Sequence, residues 1–255
     1  MKALVRSLFA AAGLDVYRRQ HPVHDFYPRN LTAPQTAYET DTEFNARYDR
    51  AQAMTQMAAS DNALRRQRHY TLNHLLKNLE GVPGHFCELG CWRGLSAYQT
   101  AEHIRGHHRG ARFCILDSFE GLSEYREEDK PAQGYDYEAM RRVLSCPEDI
   151  VKNNLREFDF ISYHKGWIPD QFHEVADLRF CWVHIDVDLY RPIKDSIEFF
   201  FPRLAPNGIM VFDDYGCSIF PGAKLAVDEF LAARPRDDAF FLPLTSGQAF
   251  LVKKA

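Results

Sequence analysis

The sequence predicts an open α/β fold with a doubly wound, mostly parallel seven-stranded sheet, a C-terminal antiparallel hairpin and additional N-terminal helices. Three observations support this prediction. From residue 85 onwards, short apolar runs alternate with segments of helical periodicity. The apolar runs are continuous, as in strands that helices cover on both faces. The chain has 255 residues and 45% hydrophobic content, which is enough for one large core.

The first 80 residues are predicted to form an N-terminal helical or lid segment. Prolines at positions 22, 28 and 34 break any long helix before residue 40. Residues 43–79 have the pattern of two helices, and the second, from about 63 to 79, carries leucines along one side.

The extreme N-terminus has a basic start and a short apolar stretch. Arg6 interrupts this stretch, which is unlike the apolar region of a signal peptide. We interpret residues 1–14 as a lid or dimer-contact helix, so the N-terminal helices are where a homo-oligomer could form. Weak docking to a membrane surface is the alternative interpretation.

Residues 81–255 are predicted to be the core domain, which begins after a glycine- and proline-rich break at 81–84. Strands are expected over 85–89, 112–117, 160–164, 180–183 and 209–212, with a closing hairpin at 240–244 and 249–252. Helices are expected over 96–105, 147–158, 192–204 and 223–233. Residues 123–147 are charged and rich in tyrosine, and we interpret them as a lid, because they are too long for a simple connection.

Composition excludes several classes of partner. The net charge of −4 and a pI near 6.3 leave no strongly basic surface, so we expect no nucleic-acid partner. No apolar run reaches about eighteen residues, so no transmembrane helix is expected. Cys87 and Cys91 have no matching second pair, which argues against a zinc site. We interpret all six cysteines as reduced and the protein as cytoplasmic.

Two acidic clusters follow predicted strands and are the most informative feature of the chain. Asp186 and Asp188 come after one buried strand, and Asp213 and Asp214 come after the next. Ligands bind outside the carboxyl ends of strands in open α/β sheets, and buried carboxylates repel each other unless a cation or protons compensate. The clusters therefore predict a hard-cation site or an acid/base site. His184 lies within the strand, and we expect it to be buried and hydrogen-bonded.

A glycine-containing turn follows the first predicted strand. Gly90 and Gly94 have the spacing G-x3-G, which differs from the pattern that binds the pyrophosphate of a dinucleotide. Glu88 suits an ammonium or hydroxyl group and would repel a pyrophosphate, so the turn favours S-adenosylmethionine over NAD. Asp117 ends the second predicted strand, where an acidic residue can accept ribose hydroxyls; a helix N-cap is its alternative role.

Together these residues resemble the macrocin O-methyltransferase family over about residues 83–253. The resemblance depends on seven motifs in the family's order. They are Val82-Pro83-Gly84, Glu88-Leu89-Gly90-Cys91-Trp92-Arg93-Gly94, Asp117-Ser118-Phe119-Glu120-Gly121-Leu122, Lys165-Gly166-Trp167, His184-Ile185-Asp186-Val187-Asp188-Leu189-Tyr190, Pro202-Arg203-Leu204-Ala205-Pro206-Asn207-Gly208 and Phe212-Asp213-Asp214-Tyr215-Gly216. Leu95 and Ser123 stand where the family usually has glycine and proline.

The resemblance implies a Rossmann-like class I methyltransferase core over 81–255 that uses S-adenosylmethionine and Mg²⁺. It implies that the metal ligands are Asp186, Asp213 and Asp214, and that Asp188 is the base acting beside Asp186. The cofactor-binding residues would be Glu88, Gly90, Gly94, Asp117, Ser118 and Trp167. Trp167 could stack near the adenine or be an aromatic at the rim of the site. The implied acceptor is a sugar or glycosylated metabolite with vicinal hydroxyls.

Two other functions are compatible with the same residues. The Asp-x-Asp at 186–188 could hold the metal-bound nucleotide sugar of a glycosyltransferase, although the glycine turn argues against this function. A non-catalytic S-adenosylmethionine-binding protein could also keep the fold. The acceptor stays open among an antibiotic sugar, a glycolipid, a polysaccharide and a catechol-like diol.

Overall fold

The computed structural model describes residues 37–130, 136–235 and 237–254. The predictions for residues 1–14, including the dimer-contact helix, lie outside these ranges. So does the middle of the proposed lid, at 131–135. No helix within the described ranges is long and apolar enough to cross a membrane.

A seven-stranded sheet in the order β3-β2-β1-β4-β5-β7-β6 forms the centre of the molecule. Its strands are β1 (His85–Leu89), β2 (Phe113–Asp117), β3 (Ile161–Lys165), β4 (Phe180–Ile185), β5 (Leu204–Phe212), β6 (Ala239–Pro243) and β7 (Ala249–Lys253). The first five strands pair in parallel. Strand β7 pairs antiparallel with both β5 and β6, which confirms the predicted fold class and the closing hairpin.

Helices cover both faces of this sheet. They are α1 (Ala37–Thr40), α2 (Thr42–Thr55), α3 (Ala63–Lys77), α4 (Leu95–His107), α5 (Tyr137–Leu144), α6 (Glu148–Asn154), α7 (Tyr190–Phe200) and α8 (Pro221–Ala232). Alternate residues of β1 enter opposite cores, as strand geometry requires. Phe86 packs with α2, α3 and α4, whereas Cys87 packs with α7 and α8.

Strand β5 begins earlier than the sequence predicts. Leu204 already pairs with Phe180, five residues before the predicted start at Ile209. The register then shifts, because Asn207 adopts a positive φ of 63° and inserts an irregularity into the ladder. The Pro-Asn-Gly sequence that suggests a turn is therefore a bulge within the strand. Helix α6 also ends early, at Asn154 instead of 158.

The segment predicted to be a lid has structure of its own. It contains a 3-10 turn at Glu127–Asp129 and helix α5. Asp129 is buried, and its Oδ1 accepts a hydrogen bond from the Tyr190 backbone N–H at 2.7 Å. This bond satisfies an amide at the start of α7 that has no partner within the helix. The segment is thus anchored to the core at Asp129.

Candidate active site

Two adjoining cavities open at the carboxyl ends of the parallel strands. The first cavity lies beside the ends of β1 to β4, and among its lining residues are the predicted site residues Gly90, Asp117, Ser118, Trp167, Asp186 and Asp188. The second cavity lies between the strand ends and helix α3, and all four predicted acidic residues line it. The cavities share a wall that consists of Trp92, Leu144, Asp186 and Asp188.

The sheet ladder continues past the strand ends and places the acidic residues there. The Asp186 backbone N–H donates to the carbonyl of Leu89 at 2.9 Å, and that of Asp213 donates to the carbonyl of Ile185 at 3.0 Å. Both residues therefore lie at the same edge of the sheet. Asp188 adopts a left-handed conformation with φ of 60°, which aspartate tolerates better than most residues.

A glycine is required at position 90 because the backbone of Asp186 lies very close to it. Gly90 has a φ of 77°, and a Cβ atom there would lie 1.9 Å from the carbonyl oxygen of Asp186. Gly94 precedes α4 with a φ of 90°, and a Cβ there would lie 3.3 Å from Leu155. Gly90 lines the first cavity and Gly94 lines neither, so within the described residues the two glycines have different surroundings.

Asp117 is held rigidly at the first cavity. Its Oδ2 accepts from the Cys91 backbone N–H, and its Oδ1 accepts from that of Phe119, both at 2.6 Å. The neighbouring Ser118 Oγ donates to the Gly121 carbonyl at 3.0 Å. Trp167 also lines this cavity, with the Arg141 guanidinium 5.9 Å from its ring centroid.

Glu88 lies deeper than expected for direct contact with a ligand. It is fully buried and lines neither cavity. Its Oε1 accepts from Ser96 Oγ at 2.6 Å, and its Oε2 lies 3.8 Å from His184 Nδ1. The expectation that Glu88 contacts a cofactor stays a prediction.

His184 is buried and bonded to acidic residues, as the sequence predicts. Burial by itself would lower the pKa of His184, but the interactions with Asp213 and Glu88 outweigh it and raise this pKa well above its usual value. The ring nitrogens of His184 lie 3.8 Å from Glu88 and 3.3 Å from Asp213. His184, Asp186 and Asp213 are also close enough to form a group that could hold a metal ion.

Asp213 is the most heavily bonded of the acidic residues. Its Oδ1 accepts from Gln248 Nε2 at 2.7 Å and lies 3.3 Å from His184 Nε2, and its Oδ2 accepts from the guanidinium of Arg68. Burial would raise the pKa of Asp213, but Arg68 and His184 hold it below the usual range. Asp213 is therefore ionised at neutral pH.

The other three acidic residues repel one another. Burial, followed by the charge of nearby aspartates, raises the pKa of Asp186 and Asp188 well above the usual value, and it also raises the pKa of Asp214. Asp214 Oδ2 is buried and has no hydrogen-bond partner among the described residues. Carboxylate oxygens of Asp186, Asp188 and Asp214 lie within 4.8 Å of one another. This donor set suits a hard divalent cation such as Mg²⁺.

Arg68 and Gln248 were missed by the sequence reasoning. Arg68 lies four and eight residues before Leu72 and Leu76, both buried on helix α3. An arginine on the apolar side of a helix is a signal that could have indicated a buried acidic partner. Gln248 stands in the hairpin turn, and no local pattern marks it.

The order of the sheet and the location of the cavities define the class of protein. The fold is that of class I O-methyltransferases. It is seen in the O-methyltransferase from Bacillus cereus in complex with SAH, with 16% identity, a TM-score of 0.52, and coverage of 82% of this chain and 91% of that one. The family model described as macrocin-O-methyltransferase (TylF) matches residues 2–240. The chain belongs to this family, which confirms the resemblance seen in the sequence.

Relatives of similar sequence carry the names of O-methyltransferases. An 8-demethyl-8-(2,3-dimethoxy-alpha-L-rhamnosyl)-tetracenomycin-C 4'-O-methyltransferase of Streptomyces olivaceus is 32% identical over 53% of this chain and 54% of its own length. A demethyldecarbamoylnovobiocin O-methyltransferase of Streptomyces niveus is 30% identical over 59% of each chain. The chain thus matches little more than half the length of these relatives. The structure of the O-methyltransferase NovP is 25% identical, with a TM-score of 0.62 over 74% of this chain and 80% of that one.

Proposed function

We propose that this protein transfers a methyl group from S-adenosylmethionine to a hydroxyl of a sugar or sugar-like vicinal diol, with Mg²⁺ as an essential ion. The observation that carries the proposal is the acidic wall shared by the two cavities. A methyl donor in the first cavity and an acceptor in the second would meet at this wall. The names of the relatives support the reaction class, and the rhamnosyl group in one of those names supports a sugar acceptor.

The cofactor is proposed to occupy the first cavity. Asp117 would accept the ribose hydroxyls, because its carboxylate is already oriented by two backbone N–H groups and keeps further lone pairs. Gly90, Ser118 and Trp167 line the same space. Gly94 would position the start of α4. Glu88 would hold the end of β1 in place by accepting the hydrogen bond from Ser96.

Mg²⁺ is proposed to be held by Asp186, Asp213 and Asp214, where it would lower the pKa of a bound hydroxyl. The buried Oδ2 of Asp214, which has no hydrogen-bond partner among the described residues, supports a cation there. Asp188 lines both cavities, and we assign it the role of base that takes the hydroxyl proton. The cavity walls would orient the hydroxyl towards the methyl group, which would lower the entropic cost of reaching the transition state.

The proposal is tested by methyl transfer from labelled S-adenosylmethionine to a panel of methyl glycosides. Mg²⁺-dependent labelling is expected from the natural chain. Asp213→Asn should abolish the labelling and retain binding of S-adenosylhomocysteine, since Asp213 lies outside the first cavity. Full activity of this variant, or full activity in excess EDTA, would contradict the metal role. Binding of a nucleotide sugar without binding of S-adenosylmethionine would favour a glycosyltransferase.

The cellular location is proposed from cysteine chemistry. All six cysteines are free, and five of them are buried. A reducing compartment such as the cytoplasm would keep them in this state.

A further inference from the structure

We infer that the acceptor carries a phosphoryl group, which Arg65 and Arg93 bind at the second cavity. This inference rests on the proposed function, because it assigns the second cavity to the acceptor. It specifies the acceptor as a phosphorylated sugar diol, either a sugar phosphate or a sugar attached to a nucleoside diphosphate.

The two arginines lie in the wall of the second cavity, in a different part of the chain from the acidic strand ends. Arg65 belongs to the first turn of helix α3, and Arg93 belongs to the glycine turn after β1. Both are partly buried. The Arg65 guanidinium lies 5.8 Å from the ring centroid of Trp92, the residue before Arg93.

Neither arginine is neutralised by a carboxylate within 4.0 Å among the described residues. Arg65 Nη1 donates to the carbonyl and hydroxyl oxygens of Ser60, at 2.6 and 2.5 Å. Arg93 donates through Nε to the Thr55 carbonyl at 3.2 Å and through Nη2 to Gln56 Oε1 at 3.0 Å. These neutral acceptors orient the guanidinium groups and leave some of their five N–H donors unused.

The other arginines of helix α3 show the contrast. Arg66 forms ion pairs with Asp49 and Asp61, at 2.8 and 2.7 Å. Arg68 pairs with the acidic cluster itself. Of the arginines on this helix, Arg65 alone keeps its charge free, and it lies in a cavity wall of a protein whose net charge is −4. The aspartates of the same cavity stand at the strand ends, so an anionic group of a ligand would be bound at Arg65 and Arg93.

The chemistry of the anion follows from the number of guanidinium groups. A phosphoryl group presents several oxygens and up to two negative charges, enough to accept from both arginines, whereas a carboxylate has only one charge. The diol would then lie towards Asp186 and Asp188, and the phosphoryl group towards Arg65 and Arg93. The cavity wall thus offers carboxylates for the diol and guanidinium groups for the phosphoryl group.

Isothermal titration of the full chain, saturated with S-adenosylhomocysteine and with fixed Mg²⁺, tests this inference. The probes are glucose 1-phosphate, uridine diphosphate glucose and methyl α-glucoside, which differ in the anionic group on one sugar. At least one phosphorylated probe should bind about tenfold or more tightly than the glucoside, the effect of a single charge-assisted hydrogen bond. The stronger binder of the two phosphorylated probes distinguishes a sugar phosphate from a nucleotide sugar.

The same titrations on variants of the two arginines form the second part of the test. Arg65→Gln and the double variant R65Q/R93Q should lose most of the advantage of the phosphorylated probe. Arg156→Gln is the matched control, because Arg156 donates to the Asn153 carbonyl and lies in neither cavity. The hydrogen bonds between Arg65 and Ser60 are exposed to solvent, so R65Q should fold even if the double variant R65Q/R93Q does not.

Three results would overturn the inference. One is equal binding of the glucoside, another is an unchanged advantage in R65Q, and the third is no binding of either phosphorylated probe at millimolar concentration. Binding of S-adenosylhomocysteine and methylation of neutral glycosides would remain intact in these cases if the proposed function holds. Loss of cofactor binding in the natural chain would instead refute the proposed function.

Discussion

At the scale of single residues, the acidic cluster separates into groups with different surroundings. Asp213 is ionised and paired with Arg68, whereas Asp186, Asp188 and Asp214 repel one another. Asp188 is distinguished further by its left-handed backbone, and like Asp186 it lines both cavities. These differences favour separate roles for ligands and base.

Asp188→Asn tests the assignment of the base. The amide cannot take a proton, so methyl transfer should fall by about 10²–10⁴-fold, while binding of S-adenosylhomocysteine stays the same. Single-turnover transfer of labelled methyl, with cofactor affinity measured in parallel, gives both quantities. Asp228→Asn on helix α8 is the control, since Asp228 pairs with Lys224 outside both cavities. Unchanged turnover in D188N would remove Asp188 from the mechanism.

Gly90→Ala tests the close approach of the β1 turn to Asp186. The new Cβ would meet the Asp186 carbonyl oxygen and would occupy a left-handed conformation, so we expect a loss of about 3 kcal/mol or more in the free energy of unfolding. Gly81→Ala is the control, because Gly81 has a φ of 80° and no atom within 4 Å of the new Cβ. It should lose only about 1–2 kcal/mol. Equal losses of unfolding free energy in the two variants, measured with urea, would show that the structure relaxes around the new Cβ at position 90 at little cost.

At the scale of secondary-structure elements, helix α3 completes the site by supplying Arg68. The guanidinium compensates Asp213 and Asp214 from outside the sheet. The anchored segment before α5 performs a different task, because Asp129 joins it to the start of α7. Both attachments predict effects on stability.

Arg68→Met should destabilise the fold by about 2 kcal/mol. This is less than the about 3–5 kcal/mol that follows when one partner of a fully buried pair is removed, because a quarter of the Arg68 side chain is exposed. Mg²⁺ should restore part of the loss by compensating Asp213. Urea unfolding with and without Mg²⁺ measures both effects.

Arg66→Met is the matched control on the same helix. Arg66 is as buried as Arg68 and pairs with Asp49 and Asp61 instead of the acidic cluster, so the loss should also be about 2 kcal/mol. Mg²⁺ should not change it. A response of Arg66→Met to Mg²⁺ as large as that of Arg68→Met would contradict the role assigned to Arg68.

Asp129→Ala should loosen the anchored segment. It leaves the Tyr190 backbone N–H without its acceptor, which costs about 1–3 kcal/mol. Limited proteolysis should then cleave between residues 123 and 147 faster than in the natural chain. Asp136→Ala is the control, since it removes only the exposed N-cap of α5. Equal cleavage rates in the two variants would show that Asp129 is no anchor.

At the scale of the whole molecule, the sequence predicted the strands because most of them are local apolar runs. It also located the acidic residues, because the carboxyl ends of parallel strands meet at one edge. The bulge at Asn207 was not predictable, since it depends on the pairing of Leu204 with a distant strand. The pairing of Arg68 with Asp213 joins residues 145 positions apart, and only the folded chain brings them together.

The central claim is that the acidic cluster binds a divalent cation where the two cavities meet. Electron paramagnetic resonance of Mn²⁺, used in place of Mg²⁺, measures this binding directly and requires no acceptor. With the chain saturated by S-adenosylhomocysteine, we predict one bound Mn²⁺ per chain that Mg²⁺ displaces and that Asp213→Asn weakens strongly. Absence of bound Mn²⁺, or equal binding by D213N, would contradict the account.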